Sequence, residues 1–272
     1  MSADRRPAEG PALLDSDLGL LGELAGRADQ ITTARFQASD LRVSTKPDAT
    51  PVTDADAAVE SALRGLLARH RPGDAVLGEE DGLSGDSTRR WVIDPIDGTK
   101  NFLRGMPVWA TLIALETEGE VVAGMVSAPA LGRRWWAARD GGAWTSAGAS
   151  PPRRMHVSRV AELGDAFVSL SSLAGWERQG RLSGLRELTR RAWRFRAFGD
   201  FWSHVLVAEG AVDIACEPEV SHWDVAPLKV IVEEAGGRFS DLRGRATPDG
   251  GSIVCTNGAL HEAVLGLLSP HR

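Results

Sequence analysis

The 272-residue sequence predicts an α/β fold on three observations. Apolar residues recur at helical spacing from Leu13 to Phe36. Several short apolar runs end abruptly in acids or glycines, and beyond Ala166 such runs alternate with helical stretches. Regular alternation of strand and helix implies sheets covered by helices.

Residues 1 to 11 carry Pro, Gly and charges without apolar periodicity and read as a disordered leader. Leu14, Leu18, Leu21, Ala25, Ala28, Ile31 and Phe36 then share one face of a long helix. A short strand is expected at Leu41–Val43, followed by a loop, STKPDATPVTDAD. Thr53 is placed to N-cap the next helix, whose face of Val59, Leu63, Leu66 and Leu67 runs to about Arg69. Ala75–Leu77 is a strand ending in Gly78-Glu79-Glu80, and Asp81–Arg90 is a polar excursion. Trp91–Ile93 is a short buried strand that runs into a stiff turn.

Trp109–Glu116 and Val121–Ser127 form a hairpin, and RRWWAARDGGAW gives another strand pair around Gly141-Gly142. A composition break at SAGASPP divides the chain into an N-terminal α+β half, 12–148, and a C-terminal α/β half, 149–272. The second half reads as strand Ala166–Leu170, helix Trp176–Arg191, strand Trp193–Phe198, helix Asp200–Glu209 and strand Val212–Cys216. Helix Trp223–Ala235 is closed by Gly236-Gly237, and strand Ile253–Cys255 and helix Asn257–Leu268 follow.

The totals exclude several classes. A formal net charge of −6 argues against nucleic acid as the main partner. There is no run of the roughly 18 apolar residues a membrane helix needs, and the N-terminal stretch lacks a signal-peptide core, so a cytoplasmic protein is expected. Cys216 and Cys255 have no CxxC spacing and read as reduced, buried thiols. The six histidines, His70, His156, His204, His222, His261 and His271, show no HExxH or paired spacing, and most of them read as surface or capping residues.

The most informative stretch is Trp91–Phe102, WVIDPIDGTKNF. Pro95 stiffens the backbone between Asp94 and Asp97, so the two carboxylates can converge. Like charges held together repel unless protonated or joined by a cation, and a hard divalent ion such as Mg²⁺ takes such oxygens. Gly98 and Thr99 open a helical turn with free N–H groups, suited to an anion. The bland alternative is an Asp-rich turn capped by Gly98. Glu79 and Asp224 likewise sit at or near element ends, and Asp56 falls in a first helical turn, where Asp54 and Asp56 are also favoured by the helix dipole alone. Such acids can surround two ions roughly 3.5–4 Å apart, the arrangement of phosphoryl hydrolysis.

GEE, DPIDGTKNF and WDVAPLKVIVEEAGGRF together resemble the inositol monophosphatase family of Mg²⁺-dependent, lithium-sensitive phosphatases, over nearly the whole chain after residue 13. The resemblance implies a layered α/β/α/β/α sandwich, of the type shared with fructose-1,6-bisphosphatases, commonly as a homodimer. It implies that Glu79, Asp94, Asp97, Asp224 and the Ile96 carbonyl hold two or three Mg²⁺ ions, which makes 12–148 the metal-binding half. Asp56, matched through VTDADAAVE, and Thr99 would activate the attacking water, and the Gly98 and Thr99 amides would hold phosphate. Lys46, in TKPD, would partner a loop beside an additional metal. The implied reaction is direct attack of a metal-activated water on a small phosphomonoester, with no phosphoenzyme.

Within the family, NFLRGMPVWATLIAL, SAPALGRRWWAAR and FGDFWSH look most like the bacterial histidinol-phosphate phosphatases of histidine biosynthesis. The rival reading is an inositol-1-phosphate or broad sugar-phosphate phosphatase. Gly199, Asp200 and Glu217 match substrate-pocket positions, and carboxylates there would favour an ammonium or an imidazole. Asp200 is equally a helix N-cap after Gly199, and Glu217 contacts hydroxyls in inositol-specific relatives. Arg104, Trp109 and Trp202 are candidates to border an imidazole, with Trp135, Trp136, Trp144, Trp193 and Trp223 assigned to the core. The run Arg186, Arg190, Arg191, Arg194, Arg196 reads as a solvated or subunit-contact face.

Overall fold

The computed structural model describes residues 11–46 and 50–268. The leader expected at residues 1–11 falls, up to residue 10, outside the described residues, as does His271; Pro11 is already helical.

In chain order the first elements are α1 (Pro11–Arg35), β1 (Val43–Thr45), β2 (Pro51–Thr53), α2 (Asp54–His70), β3 (Ala75–Gly78), β4 (Gly82–Ser84) and β5 (Arg89–Asp97). Next come α3 (Thr99–Leu103), β6 (Ala110–Thr117), β7 (Glu120–Ala128), β8 (Arg133–Ala138), β9 (Gly142–Ala147) and β10 (Arg153–Arg154). The second half holds β11 (Phe167–Leu170), α4 (Ala174–Arg178), α5 (Leu182–Arg191), β12 (Arg194–Arg196), α6 (Asp200–Ala208) and β13 (Ile214–Glu217). It closes with α7 (His222–Glu234), β14 (Arg238–Ser240), β15 (Ile253–Thr256) and α8 (His261–Leu268).

Two sheets result. The first has eight strands in the order β10-β9-β8-β7-β6-β5-β3-β4, antiparallel except where β3 and β5 run side by side. The second has five, β12-β11-β13-β15-β14. Alternation along β5 separates the layers: Trp91 and Ile93 pack with Leu21, Leu24, Val59 and Leu63 of α1 and α2, while Val92 faces the opposite way. That inner face meets Phe201 and Val205 of α6 and Val225, Leu228 and Val232 of α7, which also contact Ala215, Ile253 and Cys255 of the second sheet. The outer face of the second sheet, with Val168, Ile214 and Val254, is covered by Trp176, Leu185 and Val264. The order is helix, sheet, helix, sheet, helix, and the central layer draws its core from both halves of the chain. Each fully buried Leu or Ile contributes about 1.5–3 kcal/mol relative to exposure.

Several local expectations are corrected. The strand placed at Leu41–Val43 lies at Val43–Thr45 and pairs antiparallel with Pro51–Thr53, which read as loop. Gly82–Ser84, read as part of an excursion, pairs with β3, because Arg64 donates to Gly82 O and Ser84 Oγ. The helix expected at Trp176–Arg191 breaks at Gly180, whose φ of 66° no continuous helix accommodates. Arg238–Ser240 is an additional strand, and α8 begins at His261 after Asn257 accepts the N–H of Leu260.

β5 does not stop at Ile93. It continues through Pro95 to Asp97, because a register irregularity between Asp94 and Asp97 removes the need for a proline N–H in the ladder. Cys216 and Cys255 are free and buried, on opposite faces of the second sheet. His204 and His261 are buried rather than at the surface. Trp193, assigned to the core, is 66% exposed beside the edge strand β12, where the side chains of the arginine run also face solvent.

Candidate active site

Four stretches of backbone deliver acids to one cleft of about 950 Å³, lined by Glu79, Gly98, Thr99, Asp200, Glu217 and Asp224 among others. The first is the turn after β3. Glu60 of α2 is fully buried and its carboxylate accepts the N–H groups of Glu80 (2.8 Å) and Asp81 (3.0 Å), while Glu79 N donates to Ile93 O (3.1 Å). Only a glycine fits at position 78, since a Cβ there would stand 2.0 Å from Glu60 Oε1. The turn that presents Glu79 is therefore fixed from beneath by a neighbouring helix.

The second stretch is the irregular end of β5. Asp94 is 2% exposed and Asp97 follows across the irregularity. Gly98 then takes the left-handed region (φ 80°) and starts α3. A side chain at Gly98 would crowd Val108 O at 3.0 Å and Asp200 Oδ2 at 3.4 Å, so the residue lets two parts of the chain approach.

The third and fourth stretches come from the second half. Asp97 Oδ2 accepts the N–H of Phe201 at 2.7 Å, satisfying an amide at the start of α6. Asp200 does not cap that helix. It holds a left-handed φ of 49°, which costs a non-glycine residue about 1–2 kcal/mol, and its Oδ2 accepts from Asn101 Nδ2 at 3.0 Å. Asp224 and Asp56 share one device: each is the third residue of its helix and closes a capping box, Asp224 with Ser221 and Asp56 with Thr53. One oxygen of each is thereby held, Asp224 Oδ2 at 2.7 Å from Ser221 N and Asp56 Oδ2 at 2.8 Å from Thr53 N. Asp54, by contrast, is engaged by Arg35 and Arg42.

The electrostatic consequence is a cluster that resists full ionisation. Burial, then the charges of Glu79, Asp97 and Asp224, holds the Asp94 carboxyl well above the usual range. Burial and the charges of Asp200 and Asp224 do the same to Asp97. Asp56 is pushed up to about 6 and Asp224 to about 7, in both cases by burial first and against the hydrogen bonds of their capping boxes. Asp200 rises to about 6 through burial and the Glu217 charge. Glu80 rises to about 7 by burial, although Lys46 opposes the shift.

The donor set fits a hard cation. It is all oxygen and several-fold negative, and the buried Oδ1 atoms of Asp94 and Asp56 have no hydrogen-bond partner among the described residues. Among the described residues, no three acidic, histidine or cysteine side chains are already drawn together about one point. Glu79 is engaged instead by Lys46 at 2.7 Å, and Asp97 and Asp224 by backbone amides.

The expected residues divide accordingly. Glu79, Asp224, Gly98, Thr99, Gly199, Asp200, Glu217, Lys46 and Trp202 line the cleft, and Asp94, Asp97 and Asp56 are electrostatically joined to it. Thr99 and Asp56 make no direct hydrogen bond to one another; Thr99 Oγ1 donates to the Ile96 carbonyl at 3.0 Å. Lys46 bridges Glu79 and Glu80. Trp109 is corrected: it is 1% exposed and packs against Phe36 and Phe102 with centroids 5.4 and 5.0 Å away. Arg104 is exposed and off the cleft wall. Trp223, assigned to the core, lines the cleft.

Sequence reasoning missed Asn101, Glu60, Phe198 and Ser171. Glu60 had a signal, the third acid of VTDADAAVE at helical spacing from Asp56. The others had none, because their role depends on which distant segment they face.

The chain is similar to known proteins over nearly its whole length. The profile of the inositol monophosphatase family matches residues 16–272. The histidinol-phosphatase of Streptomyces coelicolor is 56% identical, covering 95% of this chain and 98% of the relative. That of Mycobacterium tuberculosis is 59% identical over 93% of this chain and 98% of the relative. Among solved structures, the extragenic suppressor protein suhB from Bartonella henselae superposes with a TM-score of 0.86 at 29% identity, covering 94% of this chain and 100% of that one.

Proposed function

The chain belongs to the inositol monophosphatase family, whose phosphatases depend on metal, and on that premise we propose that it hydrolyses L-histidinol phosphate to L-histidinol and phosphate with Mg²⁺. The observation that carries the reading is one cleft in which the acids around Asp94 adjoin Asp200 and Glu217. The acids around Asp94 suit cations that meet a phosphate, and Asp200 with Glu217, taken as the substrate end, suit a cationic, N–H-bearing alcohol.

Glu79, Asp94, Asp97 and Asp224, with the Ile96 carbonyl, would hold two or three Mg²⁺ ions. When bound, these lower the pKa of water and offset charge on the phosphoryl oxygens. The chain's own groups do the rest. The buried Oδ1 of Asp56 takes the proton of the attacking water, with the Thr99 hydroxyl orienting that water after leaving the Ile96 carbonyl. The amides of Gly98 and Thr99 hold the phosphate in line. Attack forms a new P–O bond as the bond to the histidinol oxygen breaks, and solvent protonates the departing alkoxide. Asp200 and Glu217 hold the ammonium and imidazole of the alcohol beside Trp202.

The proposal extends to a homodimer, to lithium sensitivity and to a cytoplasmic site of action. Among the described residues no helix is long and apolar enough to cross a membrane. It also treats 12–148 as the metal-binding half and 149–272 as the substrate half, with Asp224 reaching across from the second. The test is Mg²⁺-dependent phosphate release over a panel of L-histidinol phosphate, inositol 1-phosphate and sugar phosphates. Preference for inositol 1-phosphate would overturn the substrate assignment.

A further inference from the structure

Behind the substrate end of the cleft two buried polar side chains face one another, each with a buried atom that has no hydrogen-bond partner among the described residues. His204 lies on α6 and is 2% exposed; Glu217 ends β13 and is 8% exposed. His204 Nε2 stands 3.5 Å from Glu217 Oε1, within ion-pair range but beyond a good hydrogen bond. Neither Glu217 Oε1 nor His204 Nδ1 has a hydrogen-bond partner among the described residues. Such groups are costly to bury unpaired, so the pair calls for a role.

Glu217 lines the cleft and His204 does not. Any effect of His204 on substrate must therefore pass through its neighbours. Its position four residues after Asp200, one turn along α6, places it on the same helix as one acid of the substrate end and beside the other, Glu217. The residue type matters. A lysine or arginine in its place would cancel the negative charge that a cationic substrate end needs, and a serine would be too short to span the gap. A ring N–H can steer one carboxylate oxygen while the other remains turned to the cleft.

We propose that His204 is a positioning residue for substrate selection, holding the Glu217 carboxylate toward the cleft so that Glu217 and Asp200 together grip the cationic end of the substrate. This rests on the reading of Glu217 as a substrate contact, so the experiment isolates that residue first. Glu217→Gln, His204→Met, His204→Gln and the double variant Glu217→Gln/His204→Met are compared on L-histidinol phosphate and on p-nitrophenyl phosphate, which has no cationic end. Methionine fills the volume without an N–H, and glutamine keeps a donor, so both variants can fold; melting temperatures confirm it.

The expected result for His204→Met is a KM for histidinol phosphate raised about tenfold, the size of one lost charge-assisted contact, with kcat within about twofold and p-nitrophenyl phosphate unaffected. His204→Gln should recover most of the loss, and the double variant should be no worse than Glu217→Gln alone. A wild-type KM in His204→Met, an equal rise on p-nitrophenyl phosphate, or additivity in the double variant would each overturn the role of His204. A wild-type KM in Glu217→Gln alone would overturn the reading of Glu217 and the inference with it.

Discussion

Lys46 Nζ stands 2.7 Å from Glu79 Oε1, and the same ammonium lies 2.8 Å from Glu80 Oε1. Burial alone would lower the lysine pKa, but these two carboxylates outweigh it and hold the ammonium charged. The cleft therefore supplies its own cation at the acid that β3 delivers, and an incoming metal ion must compete with it. Lys46→Met is expected to tighten Mg²⁺ or Mn²⁺ binding by up to about tenfold, since roughly 1.4 kcal/mol of opposing interaction is removed. Calorimetric titration checks this independently of turnover; weaker binding would mean that Lys46 organises the site rather than competing for it.

Asp97→Asn separates metal chemistry from fold. An asparagine oxygen can still accept the Phe201 N–H that Asp97 now accepts at 2.7 Å. Activity should fall by at least the roughly 10–100-fold that loss of even an outer-shell partner costs. The melting temperature in chelator should hold or rise, because one of several repelling charges is gone. A large drop in melting temperature would make Asp97 a structural residue.

The raised acids predict opposite pH trends with and without metal. Asp56 at about 6 and Asp224 at about 7 lie above the unfolded carboxylate value of roughly 3.9. The metal-free folded state thus binds more protons than the unfolded chain across that window, and these groups make stability fall as pH rises from about 4 to about 7. Mg²⁺ needs its ligand Asp224 ionised, so its stabilising effect grows over that range. Melting curves at pH 5 to 8, in chelator and in Mg²⁺, measure both; a Mg²⁺ effect independent of pH would count against Asp224 as a ligand.

Gly78→Ala places a methyl group 2.0 Å from Glu60 Oε1 and 2.2 Å from its Cδ. Glu60 must then move, and the N–H groups of Glu80 and Asp81 lose their acceptor. A destabilisation of about 1–3 kcal/mol is expected from the overpacking, with weakened metal binding. Chemical denaturation and metal titration report the two effects separately.

His261 should contribute the contrary pH slope. Burial first, and then Arg238, lower its pKa to about 4. Ser240 Oγ donates to Asp241 O, so the ring Nε2–H donates to Ser240 Oγ at 2.9 Å, and Thr256 Oγ1 donates to Nδ1 at 3.0 Å. The neutral ring is the one that fits. With an unfolded pKa of roughly 6.5, its contribution is complete above that value and is lost as pH falls toward about 4. His261→Gln in saturating Mg²⁺ should flatten this part of the stability profile; an unchanged slope would assign it to other groups.

Much of the site was legible because its signals are local. Acids at strand ends, Pro95 between two aspartates, Gly98 at a forced turn and Thr53 before an apolar face each declare a backbone requirement within a few residues. The same holds for the long first helix and the hairpin at Trp109–Ser127, whose periods are set by single elements.

What the chain could not declare locally was pairing across distance. Trp109 and Trp202 are alike as residues, yet one is locked between Phe36 and Phe102 and the other lines the cleft, because each lies on a different face of a different layer. The extra strands at Pro51–Thr53 and Arg238–Ser240 are too short to carry a period and exist only through their partners. The amino-acid sequence by itself determined the α/β class, the family and the acids that gather in the cleft. The tertiary structure decided that Lys46 meets Glu79 and that His204 stands behind Glu217, since those meetings depend on how two sheets and a shared helical layer stack, which no local pattern encodes.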